Sequence, residues 1–478
     1  MKPYTKQFIA GEWREGTGGK ALSNFNPFTG ELLYTYQSAG EKDVDDAYTS
    51  AQQAQKEWAK TTPAHKFELL EKLKQAAIEM KDEIIACLIE EGGSTLPKYM
   101  FEYTDTINVI NDSLHYPKMM DGKIIPSNIP GKDNYIFKTP KGVIAVIAPF
   151  NFPVLLAMRS VVPAVATGNA VVLKPATDTP ASAFIIGELF EKAGFPKGLV
   201  NVVAGSGSDI GDYLVEHPVP SLISFTGSTA VGRHIGEIAG ARLKDVSLEL
   251  GGNNAMILLD DANVEQATKA AVFGAYCHQG QVCMCINRVI AMPKVYNQFI
   301  DSFVTMTKGI KVGDPAENDT FIGPIISKGQ VLKIETYVQK TIEAKATVAL
   351  QGKTDGNLIY PWVFTDCTND MPASKCEVFG PVCCIIPAMD EEDAINIAND
   401  TEYGLSNSLF TKNLYNGMKL SQRLESGMVH VNDQPINHEP HVMFGGEKYS
   451  GIGRFNGQWV VDKFTAEKWM SVQTVDRF

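Results

Sequence analysis

The sequence predicts an α/β protein built on doubly wound parallel sheets. Short apolar runs alternate with stretches of about 10–15 residues at helical spacing, the pattern of parallel strands covered by helices. The chain has 478 residues, which is too long for one ordinary hydrophobic core. Its 44% hydrophobic and 21% charged residues are ordinary for a globular protein. Together these observations indicate at least two α/β domains.

The first predicted element is a long amphipathic helix over residues 64–91. Leu69, Leu70 and Leu73 lie at helical spacing within it, and Gly92-Gly93 ends it. The alternation of strands and helices follows. We expect strands at 142–148, 170–173, 199–204 and 222–225, a helix after Pro153 and another near 181–193.

A second α/β unit begins after Gly252, where the alternation restarts. Residues 256–259 are predicted to form a strand, and Asp261 or Asn263 can cap the helix that runs toward His278. We expect this domain to cover residues 250–435. The first unit then comprises residues 1–117 and 140–249.

Two extended segments lie outside both predicted cores, at 118–139 and 458–478. In the second, Trp469-Met470-Ser471-Val472 alternates in the manner of a strand. Unpaired strands of this kind can pair with another subunit. The alternative, that they only cover their own domain, stays open.

Charge and cysteine usage exclude several function classes. The net charge is −12, from 43 basic and 55 acidic residues without a basic block, so nucleic acid and anionic membranes are poor partners. Prolines interrupt the most apolar stretch, 142–172, so we expect no membrane span. Residues 1–11 lack the apolar run of a secretory signal, so we expect a cytoplasmic protein. In a long chain without a secretory signal we expect the eight cysteines to be reduced thiols. None forms a Cys-x-x-Cys pair with a second such pair, so we expect no metal site.

Two residues are candidates for covalent chemistry. Cys283 ends Gly280-Gln281-Val282-Cys283, in a loop between a predicted helix and a strand, where a thiol can face a cleft. A lone cysteine is more often a small buried hydrophobe. Glu249 stands between two leucines before a Gly-Gly turn, where apolar neighbours raise a carboxyl pKa toward that of a general base. The competing interpretation is a solvent-facing carboxylate on an edge strand.

Other motifs suit anion binding. Asn151 lies in Pro149-Phe150-Asn151-Phe152-Pro153, where its amide can hold an oxyanion or form an Asx-turn. Phe225-Thr226-Gly227-Ser228 closes a strand and opens a helix, a place that favours a pyrophosphate. Lys174 ends another predicted strand. The Gly-rich run 205–211 departs from Gly-x-Gly-x-x-Gly and is weak evidence alone.

Together, in this order, these features resemble the aldehyde dehydrogenase superfamily. The resemblance extends over nearly the whole chain, and chance does not produce seven ordered motifs. The motifs are Pro-Phe-Asn-Phe-Pro (149–153), Leu-Lys-Pro-Ala (173–176), Phe-Thr-Gly-Ser (225–228), Leu-Glu-Leu-Gly-Gly-Asn (248–253), Gly-Gln-Val-Cys (280–283), Glu-Val-Phe-Gly-Pro-Val (377–382) and Phe-Gly-Gly (444–446).

The resemblance implies an aldehyde dehydrogenase-like fold, with two doubly wound parallel-sheet domains and a small oligomerisation domain of strands. The first α/β unit would bind NAD+ and/or NADP+, the second would be catalytic, and the strands at 118–139 and 458–478 would form a homodimer or homotetramer. The implied activity is NAD(P)+-dependent oxidation of an aldehyde to the carboxylic acid through a thioester on Cys283.

The resemblance also implies residue roles. Cys283 would be the nucleophile, Glu249 the general base, and Asn151 with the Cys283 backbone N–H the oxyanion hole. Lys174 and Glu377 would hold cofactor ribose hydroxyls, Ser228 the pyrophosphate, and Phe379 would pack near the nicotinamide ribose. The other implied cofactor contacts are Thr177, Gly205, Phe225, Gly227 and Gly251, and the implied substrate contacts are Phe152, Leu155, Arg159 and Val282.

The resemblance leaves the substrate open. The segments 432–435, 439–448 and 453–457 resemble bacterial benzaldehyde and vanillin dehydrogenases, so we favour aromatic aldehydes. Cys283-Met284-Cys285 and Arg159 are similar to succinate-semialdehyde dehydrogenases, where an arginine can bind the substrate carboxylate. A CoA-acylating or a non-catalytic relative is disfavoured by the retained Cys283, Glu249 and Asn151.

Overall fold

The computed structural model describes residues 2–478. Parallel strands and helices alternate along the two main parts of the chain. The strands are β1 Gln7–Ile9, β2 Glu12–Arg14, β3 Ala21–Phe25, β4 Leu32–Gln37, β5 Gly122–Ile125, β6 Lys132–Pro140, β7 Val143–Ile147, β8 Ala170–Lys174, β9 Val200–Val202, β10 Leu222–Thr226, β11 Asp245–Glu249, β12 Asn254–Leu258, β13 Ile286–Ala291, β14 Thr347–Leu350, β15 Thr354–Asp355, β16 Leu358–Ile359, β17 Trp362–Thr365, β18 Val382–Pro387, β19 Tyr403–Gly404, β20 Ser406–Phe410, β21 Met428–Val431, β22 Glu447–Lys448, β23 Gly451–Ile452 and β24 Thr465–Gln473.

Helices cover the sheets and connect their strands. Short turns of 3₁₀ helix lie at Tyr116–Lys118 and Cys277–Gly280, and a turn of π helix lies at Gly207–Gly211. The α-helices are α1 Glu41–Trp58, α2 Pro63–Glu79, α3 Lys81–Glu90, α4 Leu96–Ser113, α5 Pro153–Ala166, α6 Pro180–Lys192, α7 Asp212–Glu216, α8 Thr229–Ala241, α9 Val264–Tyr276, α10 Pro293–Lys308, α11 Lys328–Glu343, α12 Pro372–Lys375, α13 Glu391–Asn399, α14 Leu414–Ser421 and α15 Gly457–Lys463.

The first large sheet has the order β2-β1-β9-β8-β7-β10-β11-β23. The five central strands, β9, β8, β7, β10 and β11, run parallel. At the two ends of this parallel set, β1 pairs with β9 and β23 pairs with β11, both antiparallel. Strand β7 has the sequence Val-Ile-Ala-Val-Ile and is almost wholly buried, as expected for a parallel strand covered on both faces. The carboxyl ends of β8, β10 and β11 therefore meet at one edge, where ligands bind in open α/β sheets.

The second large sheet has the order β14-β17-β18-β13-β12-β20-β21, and only β14 pairs antiparallel among these described strands. Alternate residues of β12 face different cores. Ala255 and Ile257 pack in one apolar cluster, while Met256 and Leu258 pack in the other. Helices thus cover both faces, which is the predicted doubly wound arrangement.

A third sheet projects from these cores, with the order β24-β6-β5. Strands β24 and β6 pair antiparallel over nine residues, from Thr465 opposite Pro140 to Gln473 opposite Lys132. This sheet contains parts of both extended segments that the sequence predicts outside the cores. None of the helices within residues 2–478 combines the length and apolar character needed to cross a membrane.

Two predicted elements differ from the structure. The helix expected over 64–91 is two helices, α2 and α3, because Met80 leaves the helical conformation at φ −93° and ψ 16°. The apolar periodicity continues from α2 into α3, so the sequence pattern gives no sign of the break at Met80. The segment 458–478 begins as helix α15 rather than as a strand, because Val460 and Val461 are buried against the first core.

Candidate active site

The loop that carries Cys283 is held by buried amides. It follows α9 through His278 and Gln279, whose φ values of +48° and +59° lie in the left-handed region. Gln279 Nε2 donates to the carbonyls of Gly93 at 3.1 Å and Pro324 at 2.9 Å. These bonds fix an unfavourable backbone conformation directly before the cysteine, a form of strain typical of functional sites.

Asn254 fastens the cysteine itself. Its Nδ2 donates to the carbonyl of Cys283 and to that of Cys285, both at 2.8 Å, and its Oδ1 accepts the N–H of Ser406 at 3.0 Å. Asn254 is the first residue of β12 and is buried, so the second sheet positions the loop directly. Cys283 stays partly exposed and lines the cleft described below.

Asn151 lies across from this loop. It precedes α5, is buried, and donates from Nδ2 to the carbonyl of Gln281 at 2.9 Å. An amide nitrogen carries two protons, so one N–H remains to hold an oxyanion. The start of α5 is anchored by Glu102, whose Oε1 accepts the N–H groups of Val154 at 2.9 Å and Leu155 at 3.1 Å.

Glu249 ends β11 between β10 and β23 and is 3% exposed, which excludes the solvent-facing edge position. Burial raises the pKa of its carboxyl to about 8, while Arg159 and Arg454 act in the opposite direction. Within the described residues its Oε1 has no hydrogen-bond partner. Gly445, at φ +153°, leaves room here because a Cβ on it would lie 3.2 Å from Glu249 Oε1. A buried carboxylate with a free oxygen and a raised pKa is suited to general base catalysis.

A cleft of about 680 Å³ opens at the carboxyl edge of the first sheet. Burial lowers the pKa of Lys174 to about 8 and raises that of Glu377 to about 7. Glu377 accepts the N–H of Gly252 at 2.9 Å, and a Cβ on Gly251 would lie 2.3 Å from its Oε2. The other predicted residues that line the cleft are Asn151, Thr177, Phe225, Gly227, Ser228, Cys283 and Phe379.

A second, smaller cavity of about 30 Å³ is also lined by Cys283. Leu156, Thr226 and Cys283 line both spaces, so the two meet at the thiol. Aromatic and aliphatic side chains form most of the small cavity. Its lining consists of Phe101, Phe152, Leu155, Leu156, Arg159, Thr226, Glu249, Val282, Cys283, Met284, His438 and Phe444.

Arg159 is the buried cation of this cavity. Its guanidinium carbon lies 4.3 Å from the ring centroid of Phe444 and 4.7 Å from that of Phe455. Cation–π contact of this kind stabilises a buried arginine. Among residues 2–478, no group forms a hydrogen bond with Arg159 Nε or Nη1.

Comparison with known proteins decides the family. The aldehyde dehydrogenase family model matches residues 13–470. The chain belongs to the aldehyde dehydrogenase family. It is 43% identical to a vanillin dehydrogenase of Corynebacterium glutamicum over 472 residues, which is 98% of each chain. It is 45% identical to a benzaldehyde dehydrogenase of Bacillus subtilis over 469 residues, which is 98% of this chain and 97% of that relative.

Solved structures agree with this assignment. A structure described as a NAD-dependent benzaldehyde dehydrogenase from Corynebacterium glutamicum matches with a TM-score of 0.91 and 40% identity, over 98% of both chains. A structure described as an E. coli NADP dependent enzyme matches with a TM-score of 0.96 and 32% identity, over 98% of both. The predicted family, fold class and enzyme class are confirmed, and the chain is an oxidoreductase of aldehydes.

Within this aldehyde dehydrogenase, one predicted cofactor contact is displaced. Gly205 does not line the cleft, because it packs where an added Cβ would lie 2.9 Å from Ser38 Oγ. Gly207, Ser208 and Gly211 of the same Gly-rich run line the cleft instead. The sequence alone could not show which glycines of the run face the cleft.

Sequence reasoning missed other residues of the site. Asn254 directly follows the Leu-Glu-Leu-Gly-Gly-Asn motif (248–253), but its two loop contacts depend on long-range packing. Glu102 lies in a helix without a recognisable motif. His438 lines the small cavity and is bonded through Nδ1 to Asp105 Oδ2 at 2.5 Å, across 333 residues of sequence. No local sequence pattern predicts a pair of residues so far apart in the chain.

Proposed function

We propose that this aldehyde dehydrogenase oxidises aromatic aldehydes to carboxylic acids with NAD+, through a thioester on Cys283. The observation that carries the proposal is the position of Cys283, which lines both the large cleft and the small aromatic cavity. A thiol at that junction can contact a cofactor from one side and an aldehyde carbon from the other. The relatives described above as vanillin and benzaldehyde dehydrogenases support the substrate class.

The cleft has the donor set that a dinucleotide needs. Ser228 stands at the N-terminus of α8, where free N–H groups and the helix dipole favour a pyrophosphate. Gly227 and Gly251 leave space that side chains would fill, since a Cβ on Gly227 would lie 2.5 Å from the Phe225 ring. Lys174 and Glu377 would hold ribose hydroxyls. When bound, the cofactor supplies a nicotinamide ring that accepts a hydride.

The residues around the thiol account for the first half of the reaction. Burial raises the pKa of Cys283 to about 12, so the resting group is a thiol that must lose its proton as it attacks. Cys283 lines the open cleft, so this proton can pass to solvent there, which leaves Glu249 ionised for the second half. A C–S bond forms, the carbonyl oxygen becomes an oxyanion, and the free N–H of Asn151 with the Cys283 backbone N–H stabilises it. A single donor of this type is worth about 3–4 kcal/mol.

The second half releases the acid. Collapse of the tetrahedral carbon expels a hydride and leaves a thioester on Cys283. Glu249 then deprotonates a water molecule, the resulting hydroxide attacks the thioester, and the C–S bond breaks to give the carboxylic acid and the thiol. The Gly453-Arg454-Phe455 segment carries no carboxylate, so Glu249 works without a second one there.

The small cavity supports an aromatic substrate. Phe152 and Phe444 present rings to it, and Leu155 and Val282 complete an apolar wall. Apolar walls with few polar groups are typical of sites that orient small ligands. A second candidate substrate is succinate semialdehyde, favoured by the unpartnered Nε and Nη1 of Arg159, which could pair with a carboxylate.

The test is NADH formation with purified protein. Benzaldehyde and its ring-substituted derivatives should give a higher kcat/KM than succinate semialdehyde, and the reverse order would favour the second candidate. Cys283→Ala should abolish turnover, whereas Cys285→Ala, two residues away, should retain most of it. Turnover near that of the parent in Cys283→Ala would refute the thioester mechanism.

We further propose a homodimer or homotetramer, formed through the sheet β24-β6-β5. Its outer residues are unusually apolar for a monomer surface, since Ile124 is 75% and Trp469 63% exposed. The cofactor-binding domain would comprise 1–117 and 140–249, the catalytic domain 250–435, and this sheet the oligomerisation domain. Eight free cysteines suit a reducing compartment, in agreement with a cytoplasmic location.

A further inference from the structure

The small cavity contains one ionisable side chain that the proposed mechanism does not use. His438 follows β21 in an irregular segment, and its side chain is 3% exposed. It lines the cavity together with Cys283, and its ring meets that of Phe444 edge-on at 5.8 Å between centroids. A histidine here adds a polar ring edge to a space lined mainly by apolar side chains.

Asp105 on α4 sets the tautomer of this ring. Its Oδ2 lies 2.5 Å from His438 Nδ1, while its Oδ1 accepts from Asn108 Nδ2 at 3.1 Å. A carboxylate against Nδ1 favours the tautomer with its proton on that nitrogen, and in that tautomer Nε2 is the hydrogen-bond acceptor. The Asp105 side chain is 8% exposed, so the pair is almost wholly desolvated.

The only described neighbour bonded to His438 Nε2 is the amide of Asn456, at 3.2 Å. The same Nδ2 donates to the carbonyl of Val442 at 3.0 Å and to that of Glu439 at 3.1 Å. An amide nitrogen has two protons, and here it faces three acceptors. The contact to Nε2 is the longest of the three, so Asn456 can release Nε2 to another donor and keep both of its bonds to carbonyl groups.

We propose that His438, oriented by Asp105, accepts a hydrogen bond from the hydroxyl of a ring-hydroxylated aromatic aldehyde bound with its carbonyl at Cys283. This inference rests on the proposed oxidation of aromatic aldehydes and adds the group that selects among them. The cavity's other polar side chains suit this role less well. Thr226 and Glu249 lie opposite each other on neighbouring strands beside the reaction centre, and Arg159 can only donate.

The test compares substrates that differ only in a hydroxyl or a methyl group. For the meta and the para ring position in turn, kcat/KM with the hydroxybenzaldehyde is divided by kcat/KM with the methylbenzaldehyde, because the methyl group matches the size but cannot donate. The parent should prefer the hydroxyl at one ring position by about tenfold, the value of about one net hydrogen bond. His438→Phe, which keeps an aromatic ring beside Phe444, should bring that ratio to about one.

His441→Phe is the matched control, because His441 lies three residues along and its side chain is 67% exposed. It should keep the parental ratio. If His438→Phe does not fold with Asp105 left unpaired, the double variant Asp105→Leu/His438→Phe removes both partners and should give the same ratio near one. A ratio near one in the parent, or a tenfold ratio that survives in a folded His438 variant, would overturn this inference alone. Failure of the parent on every aromatic aldehyde, with activity on succinate semialdehyde, would overturn the proposed function and this inference with it.

Discussion

Replacing Asn254 with alanine removes the side chain that ties the Cys283 loop to β12. Three hydrogen bonds are lost, to the carbonyls of Cys283 and Cys285 and from the N–H of Ser406. At about 1 kcal/mol for each net hydrogen bond, the free energy of unfolding should fall by about 3 kcal/mol. The thiol also loses its anchor, and a displacement of about 1 Å at a reacting group costs roughly 100-fold in rate.

The assay separates stability from positioning. Denaturant unfolding followed by fluorescence gives the loss of stability, and kcat with benzaldehyde gives the loss of positioning. Asn201→Ala is the control, because Asn201 is buried in β9 and also takes part in three hydrogen bonds, with Gly198, Ala10 and Ser50. Both variants should lose similar stability, but only Asn254→Ala should lose about 100-fold in kcat. Equal kcat values in the two variants would refute the positioning role of Asn254.

The base, the cofactor cleft and the outer sheet each give a further prediction. Because burial raises the pKa of Glu249 to about 8 and only its ionised form is a base, kcat should rise with pH to about 8 and then level, and a flat profile would contradict this role. Thr177 in the cleft is neutral, whereas an acidic residue there would repel a 2′-phosphate, so the enzyme should use NADP+ as well as NAD+. Thr177→Glu should lower kcat/KM for NADP+ at least tenfold. A parent enzyme that already rejects NADP+ would exclude Thr177 as the discriminating residue. Trp469→Glu on the exposed face of β24 should dissociate the oligomer in analytical ultracentrifugation, and an unchanged sedimentation coefficient would count against that interface.

Local signals were enough to predict the alternation of the two main sheets. Strand β7 is a run of apolar residues, and Asn263 caps α9 by accepting the N–H of Gln266, as its position before a helical pattern indicates. The break at Met80 was not predictable, because the apolar face continues from α2 into α3. Helix α15 was missed because seven residues are too few to show a helical period.

The site also contains residues that the sequence could predict and residues that it could not. Residues in ordered motifs, such as Glu249 and Cys283, could be predicted as site residues because their chemistry and spacing occur within one segment, and both line the small cavity. The partners that hold or shape the site come from distant segments. Asp105 and His438 meet only because α4 packs beside the segment after β21, and Gly205 differs from Gly207 only in which one turns toward the cleft. Such relations are properties of the packed chain.

The central claim is that Cys283 carries the acyl group and that Glu249 activates the water that removes it. The most direct test is mass spectrometry of Glu249→Gln mixed with benzaldehyde and NAD+ and quenched within one turnover. We expect a burst of NADH equivalent to one per active site, and a benzoyl mass on the peptide that contains Cys283, because the thioester forms but is hydrolysed slowly. A burst without an acyl adduct, or an adduct on any of the other seven cysteines, would contradict the account.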